Sequence, residues 1–173
     1  MEVLVYPDPV LRRGGKTVTV FDAELRHLAD RMMEAMYEEG GVGLAAPQVG
    51  VEHKLLVLNP AGDRKDRSGE RVLINPRITK KKDREFGEEG CLSFPGIQAE
   101  VERWVKITVT YQDLDGKEQT LETEGWLARI VQHELDHLDG VLFVDRLTAA
   151  DKLRVKPQLL ELEDDFRAGS GRK

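Results

Sequence analysis

The chain has 173 residues, of which 40% are hydrophobic and 34% are charged, and its formal net charge is −6. These values are typical of a soluble globular protein with one domain and a real core. The negative charge argues against general nucleic-acid binding, so direct DNA binding is not expected. No apolar run approaches the ~18 residues of a membrane helix, so no membrane association is expected either.

The beginning of the sequence, MEVLVYPDPV, has no basic region followed by a long apolar stretch. A secretory signal is therefore not expected, and the cytoplasm is the expected location. Cys91 is the only cysteine, which excludes an internal disulfide. Its thiol must be buried and inert, reactive, or a metal ligand.

A first helix is predicted after Asp22, which can cap it. Apolar residues then recur at helical spacing, and Gly40 and Gly41 end the pattern. The apolar residues are Leu25, Leu28, Ala29, Met32, Met33 and Met36. The following VGLAAPQVG is too rich in glycine and proline to predict a regular element.

The middle of the chain predicts strands, because five segments carry β-branched or alternating apolar residues. The segments are Lys54–Asn59, Arg71–Asn75, Ile97–Glu102, Val105–Tyr111 and Thr120–Thr123. Asp115-Gly116 predicts a hairpin turn. No helix is predicted between these strands, which favours antiparallel sheets. The basic run Lys80, Lys81, Lys82 and Arg84 is typical of a solvated turn or hairpin edge.

Two more helices are predicted. The second covers about Gly125 to Leu138 and is apolar on most sides, so it should be buried. The third should begin at Thr148, and Pro157 should kink or break it. Its expected packing residues are Leu153, Leu159, Leu160, Leu162 and Phe166.

These elements predict an α+β fold in which antiparallel sheets pack around the second helix, with one helix before the sheets and a helical extension after them. Residues 1–147 form the expected catalytic domain. Residues 148–173 are the expected extension of the same domain, and the last six, AGSGRK, should be a loose terminus.

The second helix contains HELDH, in which His133 and His137 project only ~40° apart. Two such side chains can hold one metal ion. Glu134 lies about 100° to one side, where a carboxylate can exchange a proton with a metal-bound water. The alternative is a solvated polar stripe near a helix end. The apolar surroundings favour the metal site, because unpaired buried polar groups are costly.

A catalytic metal site needs a third protein ligand and an open position. The candidates are Cys91, His27, His53 and many carboxylates. Cys91 lies in EEGCLSFPG, where a bend beside a strand could point the thiolate inward, although a lone cysteine is more often a small core residue. His27 lies on the polar side of the first helix, and His53 lies in a predicted turn.

The loop GVGLAAPQVG at residues 41–50 is not a phosphate loop, because it lacks the Gly-Lys-Ser/Thr ending. Its small residues permit the close approach of another backbone, from the protein itself or from a peptide ligand. Gln48 would be a polar group in this apolar loop, or a structural amide that satisfies a turn.

Taken in order, GVGLAAPQ, EGCLS and QHELDH resemble the three signature motifs of the peptide deformylases. The similarity extends from the early PDPVLR to GVLFVDRL and covers nearly the whole chain. It implies a metal-dependent hydrolase that removes the formyl group from the N-terminal methionine of new polypeptides and releases formate.

The resemblance also implies roles for individual residues. Cys91, His133 and His137 would bind one divalent metal, usually Fe2+ in this family, although Zn2+, Ni2+ or Co2+ can occupy the site. Glu134 would accept a proton from the water and return it to the leaving amine. Gln48, through its side chain, and Leu92, through its backbone N–H, would stabilise the oxygen anion.

The substrate is implied to lie along the Gly43 backbone as an added strand. The candidates for the methionine pocket are Val42, Trp126 and Ile130, with Arg129 at the rim. Glu89 and Arg103 are expected either to brace the cysteine loop or to form a surface pair of little energy. The expected partners are N-formylmethionyl nascent peptides and, near the exit tunnel, the ribosome.

Two other functions are compatible with parts of the pattern. A metal-dependent endopeptidase could use HELDH, but HLDGVLFVD downstream supplies no further histidine. A non-catalytic peptide-binding or metal-sensing protein would not need Glu134 and Gln48. Both are less favoured than a deformylase.

Overall fold

The computed structural model describes residues 1–169 and has an α+β architecture. Residues 170–173, most of the predicted loose terminus, lie outside the described residues. The helices are α1 (Ala23–Glu38), α2 (Gly125–Leu138) and α3 (Ala149–Arg167), and the strands are β1 (Gly43–Ala45), β2 (Leu55–Leu58), β3 (Arg71–Cys91), β4 (Phe94–Gln112) and β5 (Glu118–Glu124). Short 3₁₀ turns cover Pro9–Arg12, Ala46–Val49 and Phe143–Arg146.

The strands form one five-stranded sheet in the order β1-β2-β3-β4-β5, and every neighbouring pair is antiparallel. The predicted antiparallel arrangement is therefore confirmed, in a single sheet. Side chains alternate between the two faces of a strand. In β1, Leu44 packs with α1 on one face, and Ala45 packs with α2 on the other. This covering of both faces explains why β2 is apolar at all four positions.

The hairpin of β3 and β4 is much longer than the sequence predicted. The two strands predicted at 97–102 and 105–111 are one strand, and residues 76–91, which were not predicted as strand, continue β3. Residues 79–86 are all exposed, so they carry no apolar alternation that could reveal a strand. The basic run at 80–84 pairs with residues 104–108 of β4. Of its two interpretations, the solvated turn was wrong, and the exposed edge of a hairpin is confirmed.

Helices α1 and α2 were predicted correctly. The Asp22 side chain accepts the Leu25 N–H at 3.0 Å and caps α1. Helix α2 has the predicted bounds, packs against β1, β2, β4 and β5, and is buried along most of its length. Within residues 1–169, no helix combines the length and apolar character needed to cross a membrane.

Helix α3 differs from its prediction in two ways. It begins after Thr148, as expected, but it continues through Pro157 without a break. Its fully buried residue is Val155, which was not predicted to pack. The predicted Leu159 and Leu162 pack against the same apolar cluster, whereas Leu153 and Leu160 are 72% and 48% exposed. Because only one narrow side of α3 meets the rest of the protein, two of its four leucines face solvent.

Candidate metal and catalytic site

The two histidines of HELDH lie on consecutive turns of α2, in the interior of the protein. His133 and His137 are both buried, and their ring centroids are 5.2 Å apart. Their helix is positioned by apolar contacts to the sheet through residues such as Ile130 and Val131. The helix backbone that carries both imidazoles is therefore positioned by apolar packing.

Cys91 is the last residue of β3, immediately before the turn that reverses the chain into β4. Its Sγ lies 3.3 Å from Nε2 of His137. The ligand atoms of Cys91, His133 and His137 all lie within 4.8 Å of one another. Tetrahedral ligands at bond lengths of about 2.0–2.3 Å are separated by roughly 3.5 Å, so this trio fits one metal ion.

His133 is oriented by a buried carboxylate on the neighbouring strand. Its Nδ1 lies 2.8 Å from Oε1 of Glu89, which leaves Nε2 for a ligand. Arg103 donates two further hydrogen bonds to Glu89, at 2.9 Å each, and Arg129 donates one at 2.8 Å. Although burial alone would raise it, the pKa of Glu89 falls to about 2 because Arg103 and His133 stabilise the charged form.

The Glu89–Arg103 pair is thus part of the interior, with both side chains at most 5% exposed. The alternative interpretation of this pair as a weak surface contact was wrong. The Glu89–Arg103 pair holds the end of β3, which carries Cys91, against His133.

Glu134 is buried beside β1, and its Oε2 has no hydrogen-bond partner among the described residues. Burial raises its pKa from an ordinary value of 4.5 to about 7. A carboxyl group with this pKa can both accept and release a proton near neutral pH. A Cβ at Gly43 would lie only 2.6 Å from Oε1 of Glu134, so the close approach of β1 requires glycine.

Gln48 lies in the 3₁₀ turn after β1 and is fully buried. Its Oε1 accepts the Ala45 N–H at 2.8 Å, and its Nε2 donates to Oγ of Ser93 at 3.1 Å. The same Nε2 is 3.8 Å from Sγ of Cys91. The amide therefore satisfies a turn with one end and directs its N–H donors towards the Cys91 turn with the other.

A cleft of about 790 Å³ joins these groups. Ten of the eleven site residues predicted from the sequence line it, and the eleventh, His137, is fully buried and does not line it. The ten are Val42, Gly43, Gln48, Cys91, Leu92, Trp126, Arg129, Ile130, His133 and Glu134. The alternative candidates His27 and His53 are both exposed and do not line it.

The predicted pocket residues have different environments. Ile130 is buried, whereas Trp126 is 52% exposed and donates its indole N–H to the Pro60 carbonyl at 3.2 Å. Arg129 lines the cleft, but its guanidinium bonds to Glu89 and to carbonyl oxygens of the β3–β4 hairpin. Its charge is therefore already paired within the protein.

Sequence reasoning missed two residues of α3 that line the cleft. Arg154 donates to the Gln98 carbonyl at 2.9 Å, and Gln158 donates to the Gly96 carbonyl at 3.3 Å. Both side chains hold the β4 segment that forms one wall. No sequence signal could have found them, because polar residues on an exposed helix carry no indication of what they face.

The comparisons with known proteins agree with one another. The family described as polypeptide deformylase matches residues 1–153. A peptide deformylase of Rhizobium meliloti is 48% identical over 147 residues, which are 84% of each chain. The chloroplastic/mitochondrial peptide deformylase 1B of Arabidopsis thaliana is 42% identical over 98% of this chain, which spans only 63% of the plant protein's length.

A solved structure of the peptide deformylase from Plasmodium falciparum superposes with a TM-score of 0.94. The two chains are 41% identical, and the match covers 96% of this chain and 98% of the other. At this identity and coverage, the likeness extends over nearly the whole chain.

Proposed function

The chain belongs to the polypeptide deformylase family, and from this premise we propose that it hydrolyses the formyl group from the N-terminal formyl-methionine of new polypeptides. Formate and a free amino terminus are the products. The observation that carries the proposal is the convergence of a thiol, two imidazoles and a buried carboxyl group of raised pKa on one cleft.

Cys91, His133 and His137 would hold one divalent metal. Such a metal, when bound, polarises the formyl carbonyl and makes a water molecule acidic enough to ionise near neutral pH. Nitrogen and sulfur ligands suit transition metals and not Mg²⁺ or Ca²⁺. We propose Fe2+ as the physiological ion, on the basis of the family resemblance, with Zn2+, Ni2+ or Co2+ as possible occupants. This makes α2 the metal-binding helix around which the sheet is built.

Glu134 would move the proton. Its unpaired Oε2 can accept a proton from the attacking water. Water adds to the formyl carbon, and the bond from that carbon to the methionine nitrogen then breaks. Glu134 delivers the same proton to the departing amine, so the carboxylate is regenerated after each turnover.

Gln48 and Leu92 would stabilise the negative charge on the formyl oxygen. The Gln48 side chain is already fixed by its hydrogen bonds to Ala45 and Ser93, so no reorganisation is needed when the charge develops. Leu92 lies in the turn between β3 and β4 and lines the same cleft, where its backbone N–H would be the second donor.

The peptide would bind in an extended conformation along β1. Within residues 1–169, this strand is at the edge of the sheet and pairs with β2 alone, and Gly43 lines the cleft. An open edge accepts an added strand through main-chain hydrogen bonds. Val42, Trp126 and Ile130 are the proposed walls of the methionine pocket, with Arg129 at its rim.

N-formylmethionyl nascent peptides are the proposed partners, and the ribosome is a further proposed partner because such peptides emerge from it. The proposed location is the cytoplasm. The relatives named above include both a bacterial enzyme and a plant enzyme named for chloroplasts and mitochondria.

The test is formate release from formyl-Met-Ala-Ser by anaerobically purified, Fe2+-loaded protein. Glu134→Gln keeps the size of the side chain but cannot accept the proton, and should lower kcat at least ~100-fold. Glu38→Gln, at an exposed position on α1, is the matched control and should keep full activity. Cleavage of internal bonds in casein without formate release would indicate an endopeptidase instead.

A further inference from the structure

A line of hydrogen-bonded charges runs from His133 towards the surface. It begins with the contact from His133 to Glu89 and the paired hydrogen bonds from Arg103 to Glu89. The remaining nitrogen of Arg103, Nη1, donates to Oδ2 of Asp136 at 2.6 Å. Arg103 therefore lies between two buried carboxylates and bonds to both.

Asp136 is bound a second time, by Arg146. Nε of Arg146 lies 3.1 Å from Oδ2 of Asp136, and Nη2 lies 2.7 Å from Oδ1. Asp136 is buried, and its side chain has no other partner than these two guanidinium groups in the hydrogen bonds of residues 1–169. We call Glu89, Arg103, Asp136 and Arg146 the charge ladder.

Arg146 is the outer end of the charge ladder. It belongs to the 3₁₀ turn Phe143–Arg146 that follows α2, and its side chain is 48% exposed, whereas that of Arg103 is 5% exposed. The inner members come from β3, β4 and α2, the elements that carry the proposed metal ligands. Arg146 thus joins these elements from outside the cleft and does not line it.

We propose that Arg146 is a positioning residue for His133, and that it acts through the charge ladder. With Arg146 in place, Asp136 has its own guanidinium partner, and Arg103 can direct both Nε and Nη2 to Glu89. Without it, Asp136 would depend on Arg103 alone. An underpaired buried carboxylate is costly, so Arg103 would move towards Asp136 and away from Glu89.

The affinity of the site for a metal should depend on the orientation of His133. Outer partners of a ligating histidine fix its tautomer and ring plane, and their loss typically costs ~10–100-fold in metal affinity. This inference rests on one part of the proposed function, the assignment of His133 as a metal ligand. It extends the proposal to a residue about which the motif HELDH says nothing.

The competing explanation is that Arg146 only fastens its own turn to α2. Arg12 provides the matched control, because it forms a two-point ion pair with Asp145, the residue before Arg146 in the same turn. The Arg12 side chain is also 48% exposed, but the hydrogen bonds of residues 1–169 do not connect its pair with Asp145 to His133. Arg12→Ala therefore removes an equivalent turn contact without touching the charge ladder.

The experiment measures the rate at which Co2+ leaves the loaded protein for an excess of chelator, together with the visible spectrum of the Co2+ form. Arg146→Ala should release Co2+ about tenfold faster than wild type and shift its spectrum, and Arg12→Ala should do neither. Methylguanidinium should slow release from Arg146→Ala, since it can refill the exposed site. Arg146→Lys offers Asp136 one nitrogen in place of two, so it should release Co2+ at a rate between those of wild type and Arg146→Ala. It replaces Arg146→Ala in the experiment if that variant does not fold.

A second measurement repeats Arg146→Ala in a Glu89→Gln background. If Arg146 acts through Glu89, the substitution should add no further acceleration there. Equal acceleration in both backgrounds, or equal effects of Arg12→Ala and Arg146→Ala, would overturn the proposal. Metal release needs no substrate, so wild-type protein that holds Co2+ but releases no formate would contradict the proposed function and leave this inference standing.

Discussion

Gly43 shows how one missing side chain allows a strand to pass close to a buried carboxyl group. Its backbone passes so close to Glu134 that a Cβ would lie 2.6 Å from Oε1 and 2.9 Å from Cγ of that residue. The buried carboxyl group therefore lies against main chain, where water has little access and where burial raises its pKa. Under the proposed function, the same glycine would leave room for an extended peptide along β1.

Gly43→Ala should consequently impair catalysis more than stability. The added methyl group would displace Glu134 within a packed site, and a misplaced catalytic group of this kind can cost ~100-fold in rate. Formate release measured beside thermal unfolding tests this. Gly90→Ala is the comparison, since a Cβ there would lie 3.6 Å from its nearest neighbours, and it should retain much more activity. Equal losses in the two variants would contradict the steric explanation.

At this scale, the sequence predicted what depends on local spacing. His133, His137 and Glu134 could be placed relative to one another because they share one helix. The approach of Cys91 to His137, 46 residues away in sequence, could be inferred only through the family resemblance. No pattern in the sequence predicted the ion pair between Arg146 and Asp136, because charged residues near a helix end are usually solvated.

Among the elements, the predictable ones are those with a strong apolar pattern. Helix α2 was delimited by Gly125 and by its apolar residues, and its bounds were correct. The outer half of β3 was missed because it is held by main-chain pairing with β4 while its side chains face solvent. An exposed strand of this kind looks like a charged loop in sequence.

Helix α3 contains Pro157, which has no N–H to offer the Leu153 carbonyl. Leu153 is exposed, so water can bond to this carbonyl, and the helix continues at a cost. Pro157→Ala should restore the missing hydrogen bond and raise the free energy of unfolding by about 1–3 kcal/mol. Urea unfolding measures this, with Lys156→Ala as the control for an exposed helix position. A loss of stability in Pro157→Ala would show that the proline is needed.

For the whole molecule, we propose that residues 1–147 and the extension from residue 148 form a single domain. Val155 of α3 is fully buried in the apolar cluster that contains Leu11, Phe94 and Phe143. Phe94 directly follows the Cys91 turn, so the extension packs against the base of the candidate site. The C-terminal helix should therefore unfold together with the sheet.

Val155→Ala should lower the free energy of unfolding of the entire chain by about 2 kcal/mol. Helicity and tryptophan fluorescence should still report one coincident transition, since Trp104 and Trp126 lie far along the chain from α3. Leu153→Ala, on the exposed side of the same helix, should change stability by less than ~0.5 kcal/mol. An early loss of helicity before the fluorescence change would mean that α3 is a separate unit.

The distance in sequence between Cys91 and His137 also has a consequence during synthesis. At about 5–20 residues per second, the ribosome needs roughly two to nine seconds to add the 46 residues that separate them. Throughout that interval the thiol has been made and its second imidazole partner has not. Each new molecule thus passes through a period in which Cys91 is open to oxidation, and cells that supply reductant during translation should yield more protein able to take up metal.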